Sequence, residues 1–270
     1  MGDPGAIRDF HRRRACRRPH SATAQAATLT SPSTLAAVLA RPHDMDGVVD
    51  TMTELGERLG AERGDRDGVL CFNRLYLAVT HGVRQAVQQP GFFEQPDQMA
   101  KLDVEFAELY FAALDADAAG TGMPRCWEPL FRRRDDPEIS SLQFALGGMN
   151  AHINHDLPIA LLRDWARRGG RPDRDAPAYA DFEKVNAILA AEEKREREEL
   201  RSRLLDDLAR FDRIDDRLAI WSVEAARAEA WTTADALWDV RDHAEPEALV
   251  TCALDHVVAF AGDALLTPIP

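Results

Sequence analysis

The sequence of 270 residues has few cysteines and lacks the close spacings that make cysteines a metal or disulfide framework. Its four cysteines, Cys16, Cys71, Cys126 and Cys252, stand far apart, and no CxxC pair occurs. Small secreted domains and structural zinc sites use closely spaced cysteines. The pattern therefore predicts reduced thiols in a cytoplasmic protein.

Long uncharged runs are scarce as well. One such run, 139–155, contains Ser, Gln, Asn and two His, whereas a membrane-spanning helix needs about 20 mostly apolar residues. With 45% hydrophobic and 29% charged residues, the chain has the composition of a soluble globular protein with a core. We therefore predict no membrane partner.

Positive charge is in deficit, with 33 Lys and Arg against 46 Asp and Glu, a net charge of −13 and a pI of about 5.1. Such a chain is unsuited to binding the phosphates of nucleic acids. Several catalytic motifs are also missing: the glycine-rich dinucleotide loop, the Walker loop, the GxSxG elbow, HExxH and the paired ExxH of di-iron bundles. The oligomeric state stays open.

The first 44 residues differ in composition from the rest. They contain seven Arg and three Asp, and 21–37 consist mostly of Ala, Ser and Thr. We predict that 1–44 form a disordered, Arg-rich extension. An Arg-rich, acid-poor start is typical of an organelle transit peptide, whereas the helical pattern that begins at Met45 favours an extension upstream of the true start. The excess of Arg over Lys indicates a high-GC bacterial gene.

From Met45 onward, helical periodicity dominates and period-2 alternation is missing. We predict an all-α, single-domain multi-helix bundle over 45–270, with seven to nine helices around a buried central helix. Pro158 is expected to kink that central helix. The predicted helices are 46–59, 69–88, 99–118, 124–134, 137–168, 179–205, 217–242 and 246–265.

The central segment QFALGGMNAHINHDLPIALL (143–162) is apolar on nearly all sides of a helix, as an interior helix is. At about 100° per residue, His152, His155 and Asp156 fall within one arc of this helix. Burying two imidazoles and a carboxylate costs free energy unless they are paired or bind a metal ion. The sequence therefore predicts a functional site on this helix.

Three interpretations of this site stay open. His152 and His155 have the spacing of two ligands of one divalent metal ion, which would be the cofactor. In a metal-free site, His155 is instead the general base and His152 a hydrogen-bond donor, with Asp156 or Asp103 orienting or protonating. In the third interpretation, main-chain carbonyls or Asn150 and Asn154 satisfy both histidines, which then only stabilise the packing.

Other polar residues are predicted to converge on the same place. Asp103 lies on an apolar helix face, where it either pairs with a core Arg or His or acts as an acid with a shifted pKa. The residues predicted to position a substrate are Asn73, Arg74, Asn150 and Asn154.

Several of these segments together resemble an uncharacterised, mainly actinobacterial family of helical proteins of unknown function. The similarity covers 45–270 and implies a helical fold, without implying any activity. The resembling segments are CFNRLYLAVT (71–80), KLDVEFAELYFAAL (101–114), LQFALGGMNAHINHDLPIAL (142–161), DFEKVNAIL (181–189) and WSVEAARAEAWTTADALW (221–238).

The sequence leaves two functions open. The first is a small-molecule enzyme with a buried His/His/Asp site, for which hydrolysis, elimination and cyclisation are all compatible. The second is a non-catalytic domain that binds a ligand or a protein partner and whose core histidines are structurally satisfied.

Overall fold

A computed structural model describes residues 41–203 and 222–269, and of 196, 200 and 203 the backbone alone. Within these ranges the chain forms eight helices and no strand, which confirms the prediction of an all-α fold. The helices are α1 (Met45–Arg63), α2 (Gly68–Gln88), α3 (Pro96–Ala119), α4 (Glu128–Arg133), α5 (141–168), α6 (Pro177–Arg203), α7 (Val223–Val240) and α8 (Ala244–Leu265).

The predicted helix positions match these elements with small shifts at the ends. The first helix begins at Met45, capped by Asp44, whose side chain accepts a hydrogen bond from the Gly47 amide at 2.8 Å. It continues past Gly60 and ends at Gly64, which has a positive φ of 87°. The predicted disorder of 1–44 falls mainly on residues outside the described ranges, as do the predicted helix ends 204–205 and 217–221.

The central helix α5 consists of an α-helical segment Ser141–Ala151, a π turn His152–Asp156 and a second α-helical segment Leu157–Arg168. A capping box of Ser140 and Gln143 fixes its start. The first segment packs against α2 and α8, and the second packs against α3 and α7. This burial on all sides places the π turn in the interior of the bundle.

Two glycines of α5 allow neighbouring side chains to approach its backbone. A Cβ at Gly148 would lie 2.4 Å from the ring of Phe72, and one at Gly147 would lie 2.9 Å from Leu266. The space beside these glycines is therefore filled by the core of the protein. Only glycine permits this close contact between α5 and α2.

The expected irregularity at Pro158 takes the form of the π turn directly before it. Proline has no backbone N–H and clashes with the preceding helical turn. π turns are rare, occur mostly as single turns inside α-helices and are frequent at functional sites. The turn changes where the side chains of His152, His155 and Asp156 point, compared with a regular helix.

The last helix, α8, departs from two expectations. It is long and apolar enough to cross a membrane by length and composition, and only 11% of its most apolar window is buried, whereas the sequence predicted no such helix. Its exposed face carries Leu249, Val257 and Phe260. Cys252, on the same helix, is disulfide-bonded, so the expectation of four reduced thiols is wrong for this residue.

Candidate functional site

The π turn brings both histidines of the HINHD segment onto one carboxylate. His152 Nδ1 lies 3.0 Å from Asp156 Oδ2, and His155 Nδ1 lies 2.8 Å from Asp156 Oδ1. The indole Nε1–H of Trp127 also donates to Asp156 Oδ2, at 3.1 Å. All four side chains are buried. The predicted interior location of His152, His155 and Asp156 is what the structure shows.

These hydrogen bonds determine the protonation of the group. Burial alone would raise the pKa of Asp156, but the hydrogen bonds from His152 and His155 outweigh it and lower that pKa to about 2. An ionised carboxylate only accepts hydrogen bonds, so both imidazoles carry a proton on Nδ1. In the neutral form of each imidazole the lone pair is then on Nε2, which makes Nε2 the basic atom. Burial lowers the pKa of His155, but the hydrogen bond and charge of Asp156 and the charge of Asp255 outweigh burial and raise that pKa.

The ring of His152 is held by aromatic side chains. It stacks on Phe106 with the ring centroids 3.5 Å apart and the planes 7° from parallel, and its edge contacts Tyr76 at a centroid distance of 4.5 Å. Burial lowers the pKa of His152, against the raising effect of Asp156. His152 is therefore a neutral imidazole in a fixed orientation, and its buried Nε2 has no partner in the described part of the chain.

A cavity of about 50 Å³ is lined in part by His152. Its wall is mostly apolar and carries four side chains that can make polar contacts, namely Tyr76, Asp103, His152 and Arg227. The apolar lining comes from Val79, Val83, Met99, Leu102, Phe106, Met149, Ile153, Leu157, Phe182, Val185 and Leu189. Helices α2, α3, α5, α6 and α7 thus each contribute to it.

Asp103 is the carboxyl group of this cavity. Its Oδ2 is buried and, within 41–203 and 222–269, has no hydrogen-bond partner. Burial raises the pKa of Asp103 to about 7, so the group exists both as acid and as base near neutral pH. Of the two readings of Asp103 from the sequence, the pairing with a core Arg or His is not seen among the described residues.

Arg227 is the cation of the cavity wall. Its Nε donates to Asn186 Oδ1 at 2.7 Å, its Nη2 donates to the Phe182 carbonyl at 2.6 Å, and its guanidinium lies 4.0 Å from the centroid of the Phe182 ring. Burial lowers its pKa to about 10, which leaves it charged at neutral pH. It forms no ion pair with any described residue within 4 Å.

His155 faces a different set of groups from His152. Its Nε2 lies 3.8 Å from Asp255 Oδ1, and Asp255 accepts a hydrogen bond from the Cys126 amide at 2.8 Å. Ligand atoms of Cys126, His155 and Asp255 lie within 4.8 Å of one another, and His152 is not part of this cluster. The prediction that His152 and His155 share one metal ion is not supported, because both use Nδ1 on Asp156.

The three asparagines predicted to bind substrate make hydrogen bonds within the protein. Asn73 donates to the Met52 carbonyl at 2.9 Å, and its Oδ1 lies 3.4 Å from the Tyr110 hydroxyl. Asn150 donates to the Val258 carbonyl and accepts from Asn154, each at 3.0 Å. None of the three lines the cavity. Their described contacts stabilise the packing of α5 against α8 and of α2 against α1.

Arg74 is removed from the candidate site. It follows Asn73 on α2 but lies on the exposed face of the helix, where it pairs with Asp65 at 2.6 Å. Adjacent residues of a helix point about 100° apart, so a buried neighbour does not imply a buried side chain.

The fold adds four residues to these clusters that were not predicted from the sequence. Tyr76 and Arg227 line the cavity, and Cys126 and Asp255 lie beside His155. One signal was available for Asp255, which is the only acid in the mostly apolar stretch 248–262. Cys126 carried no comparable signal, because its position depends on how the 3-10 turn Arg125–Trp127 packs on α8.

Comparison with known proteins gives a family but no activity. No curated protein and no solved structure matches the chain. The model of DUF5995, described as a family of unknown function, matches residues 45–268, which confirms the resemblance to a family of unknown function. This protein therefore belongs to the family of unknown function DUF5995.

Proposed function

We propose that this protein binds a small organic molecule in the cavity beside His152 and acts on it by acid–base chemistry. Three buried atoms on side chains that line this cavity have no hydrogen-bond partner among the described residues, namely the Tyr76 hydroxyl, Asp103 Oδ2 and His152 Nε2. The last two carry the proposal. Leaving a buried polar atom without a partner costs about 1–3 kcal/mol. A bound molecule that makes hydrogen bonds to both atoms removes this cost.

His152 is the base in this proposal. The Nδ1–H bond to Asp156 and the stacking on Phe106 hold the ring, and the lone pair of Nε2 is available to the cavity. This arrangement of carboxylate, imidazole and a free nitrogen is the one that general-base catalysis needs. His155, which we predicted to be the base, takes no part in the cavity.

Asp103 is the proton donor or acceptor that complements His152. With a pKa raised to about 7 by burial, it can give a proton to a ligand atom or receive one near neutral pH. Tyr76 adds a hydroxyl group to the same wall. Burial raises the pKa of Tyr76 well above its usual value, so this hydroxyl stays protonated.

The lining suggests the class of ligand. A volume of about 50 Å³ corresponds to a few water molecules or a ligand of a few heavy atoms, since one water needs about 10–15 Å³ measured in this way. The apolar wall favours a hydrocarbon body. Arg227, a buried cation without a carboxylate partner among the described residues, favours an acidic head group. We therefore propose a small organic acid.

A melting-temperature screen with short organic acids and their neutral amides tests this proposal. A ligand that binds only the folded protein raises its melting temperature. We expect acids to stabilise the wild-type protein and Val83→Phe, which fills the cavity, to abolish the effect. The control Val87→Phe lies on the same helix outside the cavity lining. Equal stabilisation of both variants, or no stabilising compound, would contradict the proposal.

A non-catalytic ligand-binding domain is the second candidate. The stacking of the His152 ring on Phe106, together with the internal hydrogen bonds of the asparagines, favours it. The variant His152→Gln separates the two functions, because a binding protein keeps much of its affinity whereas an enzyme loses turnover of the stabilising compound.

A further inference from the structure

A second group of ionisable side chains lies near Asp156 Oδ1, the oxygen that His155 contacts. It consists of the thiol of Cys126, the imidazole of His155 and the carboxylate of Asp255, whose ligand atoms lie within 4.8 Å of one another. Cys126 and His155 are buried, and the side chain of Asp255 is 15% exposed. None of the three lines the cavity beside His152.

The side chains of this group are held in place by independent contacts. Asp156 fixes the ring of His155 through Nδ1 and leaves Nε2 directed towards Asp255, at 3.8 Å from its Oδ1. Metal-binding histidines in proteins are typically oriented in this way by a carboxylate on the second nitrogen. The backbone N–H of Cys126 donates to Asp255 Oδ1 at 2.8 Å, which ties the thiol-bearing turn to α8.

The charge around this group favours a cation. Two carboxylates adjoin this group, because Asp156 Oδ1 lies 2.8 Å from His155 Nδ1 and Asp255 Oδ1 accepts from the Cys126 amide at 2.8 Å. Asp255 has no Lys or Arg within 4 Å in the described part of the chain, where its ion-pair contact is with His155. A bound cation would compensate these negative charges.

We propose that Cys126 Sγ, His155 Nε2 and a carboxylate oxygen of Asp255 bind one zinc-type transition-metal ion. Thiolate and imidazole ligands select zinc, cobalt and related ions over magnesium and calcium, which prefer oxygen. On binding, the thiol proton of Cys126 passes to solvent and its sulfur becomes a thiolate ligand. Three protein ligands leave the fourth tetrahedral position open for water or another ligand.

To bind one ion, the three ligand atoms have to move slightly closer together. Ligand atoms of a tetrahedral site with metal–ligand bonds of about 2.0–2.3 Å lie about 3.3–3.7 Å apart. The 3.8 Å between His155 Nε2 and Asp255 Oδ1 is already close to this range. Asp255 is partly exposed on α8, so rotation of its side chain can provide the rest.

Titration of the metal-free full-length protein with Co²⁺ tests the proposal. We expect one equivalent of Co²⁺ to bind with a thiolate-to-cobalt charge-transfer band in the near ultraviolet, and Zn²⁺ to displace it. Cys126→Ser is expected to lose the band, and Asp255→Asn to weaken binding at least tenfold. His43→Asn, at an exposed histidine near α1, is the matched control and is expected to bind as the wild type does.

Three outcomes would overturn the site. They are a protein that binds neither ion stoichiometrically, a charge-transfer band that persists in Cys126→Ser, and an affinity unchanged in Asp255→Asn. Circular dichroism of each variant shows whether it has folded. Should Cys126→Ser fail to fold, the result rests on Asp255→Asn, because the half-buried Asp255 is easier to replace than the buried Cys126.

Discussion

The imidazole of His152 lies flat on the ring of Phe106, with the two centroids 3.5 Å apart. This contact joins α3 to the π turn of α5 and fixes the plane of the imidazole. The direction of Nε2 therefore depends on a side chain that the sequence alone presents as an ordinary core aromatic.

Phe106→Leu should loosen His152 with little damage to the fold. The substitution removes the stacking, for which we expect a loss of about 1 kcal/mol in the free energy of unfolding. Nitrogen NMR of labelled histidine should show a broader Nε2 signal for His152. Phe92→Leu is the control, because Phe92 is also half-buried but contacts Phe93 and not His152. The same broadening in both variants would contradict a specific role for Phe106.

Asp103 should make stability depend on pH. Its pKa is about 7 in the folded protein and near 3.8 when unfolded, so its contribution is full below about pH 4 and is lost as the pH rises to about 7. In Asp103→Asn this loss disappears. Urea unfolding at about pH 5 and about pH 8 should show a smaller decrease for the variant than for the wild type, by an amount on the order of a few kcal/mol.

Other groups also titrate in this range, and their effect cancels when Asp103→Asn is compared with the wild type. Burial lowers the pKa of His152, so its contribution to stability increases with pH, in the direction opposite to that of Asp103. The exposed Asp97 on the same helix provides the control Asp97→Asn, for which we expect the pH dependence of the wild type. An unchanged pH dependence in Asp103→Asn would show that this carboxyl group does not titrate as described.

Asp156→Asn should destabilise the protein strongly. The amide group offers one oxygen where the carboxylate accepts hydrogen bonds from Trp127, His152 and His155. We expect a loss of roughly 3 kcal/mol or more in urea unfolding, because each buried donor left without its acceptor costs about 1–3 kcal/mol. Asp263→Asn breaks only the exposed pair with Arg132 and should cost less than about 1 kcal/mol. Similar losses in the two variants would be inconsistent with the buried network.

Gly148→Ala should show how tightly α5 is packed on α2. The added Cβ would lie 2.4 Å from the ring of Phe72, so the ring or the helix has to move, at a cost of about 1–3 kcal/mol. At Gly60 the nearest atom is 3.8 Å away, and Gly60→Ala should stabilise α1 by up to about 1 kcal/mol. Thermal unfolding of both variants checks the opposite signs.

The fold was largely predictable from the sequence, since helix periodicity depends on local spacing. The apolar surface of 143–162 correctly placed His152, His155 and Asp156 in the interior. The π turn was not predictable from this spacing, because a regular helical wheel assumes the same rotation at every residue. On a regular wheel both histidines point to the same side of the helix and could bind one common ligand. In the structure their Nδ1 atoms bond the same carboxylate, and their Nε2 atoms face different groups.

The composition of the candidate sites depends on tertiary packing. Cys126 and Asp255 meet His155 only because the turn before α4 packs on α8. Arg74 shows the opposite error, since it was predicted to position a substrate but lies on the exposed face of α2, paired with Asp65. Asp103 was identified correctly as an acid on an apolar face, but whether it had a partner depended on the other helices.

Asp156 serves two imidazoles with its two oxygen atoms, and this sharing has a thermodynamic consequence. An occupant beside His152 and an ion beside His155 would each act on the same buried negative charge. Linkage then requires reciprocity: the factor by which one occupant changes the affinity of the other is equal in both directions. The dissociation constant of an occupant beside His152 would therefore depend on whether an ion is bound beside His155.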